Sequence, residues 1–248
     1  MGVEASFTPT RRSEVYLRLL SIFMKGTLVN TATVIIGSLI GLGIGARFSE
    51  KMKTIVTSAL GLATLLIGFK MAFKSDQILL VIASLAIGGI IGELLNLEQK
   101  LENLGEIIKK RVKSKSGNFV LGFVTASLVF CVGPMTVVGS LEDGMRGDAS
   151  ILYAKSMLDG FASLAFASSL GIGVLFSALF VLIYQGFLTL LGSQLAFLLT
   201  EHIINELTAT GGLLIVGIGL FLLGIKKIPV GNLLPSLLIV VILAAIFK

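Results

Sequence analysis

The sequence predicts an all-α fold: a polytopic α-helical membrane protein of about eight transmembrane helices, with one broken helix and an inverted repeat. Three observations predict it. Of 248 residues, 55% are hydrophobic and 14% charged, and the mean hydropathy is +0.99. Soluble domains carry about 25% charged residues, so this chain could not cover a water-facing surface, whereas lipid tails need no polar cover. Apolar stretches of helical length recur along the chain, and 29 glycines supply small contacts for close helix packing. A Gly133-Pro134 dipeptide interrupts one stretch, and Lys155 and Asp159 lie inside another.

In chain order, residues 1–23 are polar and irregular. Arg18 divides their only apolar part, so they resemble no signal peptide and read as a disordered extension. Met24 stands as an alternative start, and residues 24–248 form one transmembrane domain. The first span, 26–46, carries Asn30 and then Gly37, Gly41 and Gly45 on one face, a seam for close packing. Spans two and three cover 55–73 and 78–95, with Glu93 near the end of the third. In 96–117, Leu97, Leu101, Leu104, Ile108 and Val112 recur at helical spacing opposite a charged face. This is an amphipathic helix along the cytoplasmic membrane surface. The fourth span begins near Asn118 and breaks at Gly133-Pro134, and a polar loop occupies 142–148. Span five is 151–169, and span six, 174–191, contains Gln185. Residues 193–207 are short and polar at Glu201, His202, Asn205 and Glu206, and read as an interfacial or re-entrant helix. Spans seven and eight are 211–225 and 233–247, the last opened by an Asn232/Pro235 turn.

Loop charges orient these spans. The loops at 47–53, 96–117 and 226–227 hold eleven basic and four acidic residues. Those at 70–76, 142–148 and 200–206 hold three basic and six acidic. Positive charge marks the cytoplasmic side, which places both termini outside. Segments 57–72 and 208–225 are weakly alike and run in opposite directions by alternation, as inverted repeats do.

The polar residues at membrane depth are the candidates for chemistry. Lys155 and Asp159 share a helix face. A charge at a helix centre costs about 2.5–3.5 kcal/mol, so the pair is either a structural salt bridge or a site for an ion or charged group. Gly133-Pro134 removes a helix hydrogen bond and frees carbonyls, as a simple kink or as a cation-coordinating break. Asp143 and Asp148 stand in a solvated loop with tight turns at Gly144 and Gly147, or contribute to the site. Asn30, Ser140 and Gln185 serve the site or bond a neighbouring helix. By distance from the loop, the break and the charged pair both lie about 15 Å deep, near mid-membrane, which predicts a single site. One cysteine and one histidine exclude a disulfide framework and leave no metal-ligand or triad spacing, so neither a metal nor another cofactor is implied and an enzyme is not expected. No basic stripe is interleaved with aromatics, so nucleic acid is not a partner.

The segments FCVGPMTVVGSLEDGMRGD, KSMLDGFASLAFASSLGIGVLFSA, YQGFLTLLG, TATGGLLIVGIGL and VGNLLPSL resemble the bacterial integral-membrane family called domain of unknown function 554, the YdfK/YqgA-like proteins. GTLVNTATVIIGSLIGLGIG resembles that family's start. The resemblance covers 24–248. It marks Gly133, Pro134, Gly139, Ser140, Asp143, Gly144, Gly147, Asp148, Lys155, Asp159, Gly160, Gln185, Gly186, Gly211, Gly212, Asn232 and Pro235 as pattern positions. Phe221 stands where the pattern suggests a polar residue. The resemblance implies a multi-pass protein of the bacterial inner membrane, without naming a substrate. The expected function is ion-coupled secondary transport of a small solute at the broken helix and the Lys155/Asp159 helix. An ion channel and a non-transporting scaffold are the alternatives. The lipid bilayer and a small solute or ion are the expected partners, with self-association into a homo-oligomer left open.

Overall fold

Ten α-helices form among the described residues, residues 24–247 of a computed structural model. The extension expected at 1–23 lies outside the described residues. The helices are α1 (Lys25–Gly45), α2 (Glu50–Ala72), α3 (Ile78–Leu94), α4 (Leu97–Arg111) and α5 (Phe119–Val132). The others are α6 (Pro134–Arg146), α7 (Ser150–Leu170), α8 (Gly173–Leu190), α9 (Glu201–Leu222) and α10 (Pro235–Ile246). Two short 3-10 turns, Ala196–Leu199 and Val230–Leu233, precede α9 and α10.

Local chemistry sets several boundaries. The Ser49 side chain accepts the Met52 N–H and starts α2 five residues before the expected apolar onset. Thr200 does the same for α9. Pro134 opens α6 and Pro235 opens α10, both where a missing N–H costs nothing. Asn96, in a left-handed conformation, turns the chain between α3 and α4, which meet at 55°.

Glycine contacts give the direction of each helix. Along α1, Gly26, Gly37, Gly41 and Gly45 meet Leu152, Gly160, Leu164 and Ser168 of α7 in turn, so these helices run parallel. Helix α2 runs antiparallel to α9, and α3 antiparallel to the segment 232–236 that opens α10. Counted with α5 and α6 as one leg, the bundle has eight alternating legs. Four helices (α1, α2, α8 and α9) are long and apolar enough to cross a membrane, and there are six spans if each bent pair, α3–α4 and α5–α6, counts as one. The other two legs explain the gap from eight. Helix α7 has 21 residues but is diluted by Lys155, Asp159 and its serines, and the final leg Val230–Ile246 is short. A belt of exposed large apolar side chains, including Leu39, Leu66, Phe73, Leu79, Phe161 and Leu238, supplies the lipid-facing surface.

The α2–α9 seam is reciprocal. Gly61 meets Leu222 and Leu223, and its counterpart Gly212 meets Met71 and Ala72. Gly68 meets Val216, and its counterpart Gly219 meets Leu65. Each contact has a twin displaced by the spacing between Thr57 and Thr208. Helices α2 and α9 thus enter the bundle in opposite directions with matched contacts, as the paired members of an inverted repeat do.

The segment 193–207 is not a separate re-entrant helix. Its second half is the first turns of α9. Glu206 explains why a charged residue is tolerated there: it is fully buried, and its carboxylate accepts the Ser75 hydroxyl at 2.6 Å and the Asp76 and Gln77 N–H groups at 3.1 Å. It caps the start of α3 from another helix. Glu206→Ala orphans these donors, and a hydrogen bond to a charged group is worth about 1.5–3 kcal/mol. We expect a clear drop in melting temperature in detergent against Glu201→Ala, a position at the exposed helix start. A drop no larger than that control would remove the capping role.

Candidate functional site

A buried polar cluster occupies the junction of α1, α7 and α8. Lys155 and Asp159 lie one turn apart on α7 and are 5% and 8% exposed. Their side chains form a direct ion pair, Lys155 Nζ donating to Asp159 Oδ2. Asn30, on α1, donates from Nδ2 to the same oxygen at 2.9 Å and to Gln185 Oε1 of α8 at 3.0 Å. Both amides are fully buried. Four of the expected site residues therefore meet, from three helices distant in sequence. The small residues of α1 permit it. With any side chain at Gly37 or Gly41, α7 could not approach closely enough for Asn30 to reach Asp159.

The cluster is balanced in charge yet incompletely bonded. Asn30 Oδ1 and Gln185 Nε2 have no partner among the described residues. One is an acceptor and the other a donor, so together they present complementary hydrogen-bonding capacity at a site where leaving it unmet costs about 1–3 kcal/mol per group. A small polar molecule or a set of waters would meet both. No group of three or more His, Cys, Asp or Glu side chains suited to a metal ion occurs among the described residues.

The polar character continues along α1. One turn before Asn30, the Thr27 hydroxyl lies 3.3 Å from that of Thr189 on α8, both buried. Next to it, the Gly26 N–H donates to Asp143 Oδ2 at 3.1 Å. Asp143 is fully buried, and its Oδ1 is unpaired among the described residues. This corrects the solvated-loop reading of 142–148. Helix α6 continues to Arg146, and Asp143 turns inward to cap the start of α1, where the positive end of a helix favours a carboxylate. Gly144 is helical, packed against Thr189 O, and only Gly147, at φ 69°, makes the left-handed turn. Thr27 and Thr189 escaped the sequence reading. Threonines are common in membrane helices, and nothing local distinguishes one that bonds across helices from one that bonds its own backbone.

Two expected residues lie elsewhere. Asp148 is exposed, and its Oδ1 accepts the Ser150 N–H at 3.0 Å at the entry to α7. That bond holds its carboxyl below the usual carboxylate range. Its role is to shape the turn. Ser140 is fully buried on α6, and its hydroxyl has no hydrogen-bond partner among the described residues, so it takes no part in the cluster's hydrogen bonds.

The break at Gly133-Pro134 is real. Gly133 is extended (φ −71°, ψ 150°), and α5 and α6 meet at 61°. The Thr136 hydroxyl bonds Phe130 O, one of the carbonyls that the break frees. A side chain at Gly133 would meet nothing within 4 Å, so space lies beside the break. Cys131, two residues before it, is buried. The Phe130 and Phe166 rings pack at 6.3 Å between centroids and tie α5 to α7 at this level. Phe130 precedes the break by three residues, and Phe166 follows Asp159 by seven, so this contact joins the broken helix to the helix that carries the charged pair.

A profile described as "Protein of unknown function (DUF554)" matches residues 25–245. The chain belongs to this family. It is 37% identical over 220 residues to "Uncharacterized membrane protein YdfK" of Bacillus subtilis (strain 168), covering 87% of this chain and 93% of that one. It is 34% identical over 227 residues to "Uncharacterized protein YqgA" of Escherichia coli (strain K12), covering 89% and 96%. No solved structure matches. The family confirms the resemblance read from the central motif, and with the apolar spans it fixes the chain as a multi-pass membrane protein.

Proposed function

We propose that this member of the DUF554 family is a secondary transporter, ion-coupled, which moves a small solute through the Asn30/Lys155/Asp159/Gln185 cluster. One observation carries the reading. A buried, charge-balanced cluster with an unmet donor and an unmet acceptor lies in a helix bundle that also holds a broken helix and a reciprocally packed antiparallel helix pair. Intramembrane charges on that pattern serve pathways more often than they serve stability. A neutral or zwitterionic solute suits a cluster whose own charges already cancel, because it adds no net charge to the bundle.

The same reading places the protein in the bacterial inner membrane with α4 cytoplasmic and both chain ends outside. Asp143 and Glu206 are buried and drop out of the loop count, so the orientation rests on the basic loops alone. The test is uptake into proteoliposomes under an imposed H⁺ or Na⁺ gradient, over a panel of small polar solutes. We expect gradient-dependent accumulation by the wild type and its loss in Asp159→Asn. A panel without any gradient-dependent accumulation sinks the reading, and single-channel conductance through the same protein would replace it with a pore.

A further inference from the structure

We infer that the cavity between α4, α5 and α9 is the vestibule through which the Gly133-Pro134 break is reached from the α4 face, and that Leu128 and Ile218 close its inner end. The inference builds on the transport reading and adds a route to it. The cavity holds about 300 Å³, room for about ten waters at about 30 Å³ each. Glu98, Glu102 and Lys227 stand at its mouth, and Val120, Leu121 and Val124 form its wall. Thr125, Leu128 and Ile218 lie deepest by their positions along α5 and α9.

The two helices that flank the cavity lead onward to the break. Thr125, Leu128 and Val132 share one face of α5 by their spacing of three and four residues, and Ile218, Leu214 and Gly211 share one face of α9. The helices run antiparallel. At the far end of this seam a side chain at Gly211 would lie 2.9 Å from Val132 O, next to Gly133. Between that contact and the cavity stand Leu128 and Ile218, 4% and 3% exposed, with Leu214 and Ile215 behind them in the same apolar core. Below them the environment turns polar. Thr210 is fully buried with its hydroxyl unpaired among the described residues, and the Phe130 carbonyl freed by the break is met by the Thr136 hydroxyl. A cavity, an apolar plug and the helix break thus follow one another along a single seam.

The mouth is latched. Lys227 Nζ bonds Glu102 Oε1 at 2.7 Å. Glu98 Oε2 accepts the Gly231 N–H at 2.6 Å, and Asn232 bonds both the Glu98 N–H and Glu93 Oε2. These bonds tie α4 and the end of α3 to the α9–α10 connection, so movement of α4 widens or narrows the entrance.

Cys131, the only cysteine, is a native reporter below the plug. The test is labelling with a small membrane-impermeant methanethiosulfonate, using vesicles of both orientations. Lys113→Cys, placed with Cys131→Ser, marks the side on which the α4 face lies. In the same background we expect Thr125→Cys to label from that side only. Wild-type Cys131 should label slowly. Leu128→Ala and Ile218→Ala, each checked for folding by gel filtration and melting, should label at Cys131 about tenfold faster, again from the α4 side. Labelling of Thr125→Cys only from the opposite side overturns the vestibule. So does a wild-type rate at Cys131 in whichever plug variant folds. If the labelling pattern holds and no solute is moved, the vestibule stands and the transport reading falls.

Discussion

Replacing Asp159 by Asn should destabilise the protein more than replacing Asp159 and Lys155 together. In Asp159→Asn the Lys155 ammonium loses its only ion-pair partner among the described residues while 5% exposed. In Lys155→Met the carboxylate is left with one amide donor, Asn30. Breaking a buried pair from one side costs about 3–5 kcal/mol, whereas removing both charges is often neutral or stabilising. The double variant Lys155→Met/Asp159→Asn should therefore regain most of the loss seen in either single change. A double-mutant cycle on unfolding in detergent measures this directly. Additive losses would mean that the two charges are not coupled in the folded protein. The same double variant also separates glue from site: it should fold and yet move no solute. Full uptake by a stable double variant would make the pair structural.

Gly41→Leu should prevent α1 from docking on α7. A Cβ at Gly41 would stand 2.2 Å from Leu164 O, a backbone atom that cannot swing aside. Gly43, on the same helix, has nothing within 4 Å of its would-be Cβ, so Gly43→Leu is the matched control. Overpacking a core costs about 1–3 kcal/mol and occasionally more, and here the clash is with backbone, at the upper end of that range or beyond it. Because Asn30 rides on α1, spreading this seam also draws it away from Asp159. We expect Gly41→Leu to lose folded yield or, where some folds, to lose gradient-dependent uptake. Gly43→Leu should match the wild type. Equal melting temperatures for the two variants would show that α1 and α7 are not packed as described.

Much of this was legible in the amino-acid order. Apolar length located the spans, the dipeptide Gly133-Pro134 located the break, and the four-residue spacing of Lys155 and Asp159 located the pair. Each of these signals is local. The parts that were not legible depend on partners far along the chain. Asp143 follows Glu142 near a helix end and reads as loop, but its partner is the Gly26 N–H, 117 residues away. Glu206 reads as an interfacial charge until the turn at 75–77 is brought against it. A backbone N–H carries no residue-type signature, so no pattern in the sequence announces that a carboxylate will cap it. Asn30 and Gln185 were visible as polar residues at depth. That they bond each other follows only from the antiparallel pairing of α1 with α8.

The matched seam between α2 and α9 has a mechanical consequence. Since the four glycine contacts form two twin pairs about its midpoint, a rocking motion that loosened one of a pair would tighten the other. Such a seam acts as a fulcrum with little preference of its own for either tilt. The resting position is then set by the unmatched ties at its two rims. Glu206 holds the 75–77 turn at one rim, and Asn232 with Glu98 holds α4 at the other. A helix pair without a bias, held between two unequal latches, leans according to whichever latch is released first.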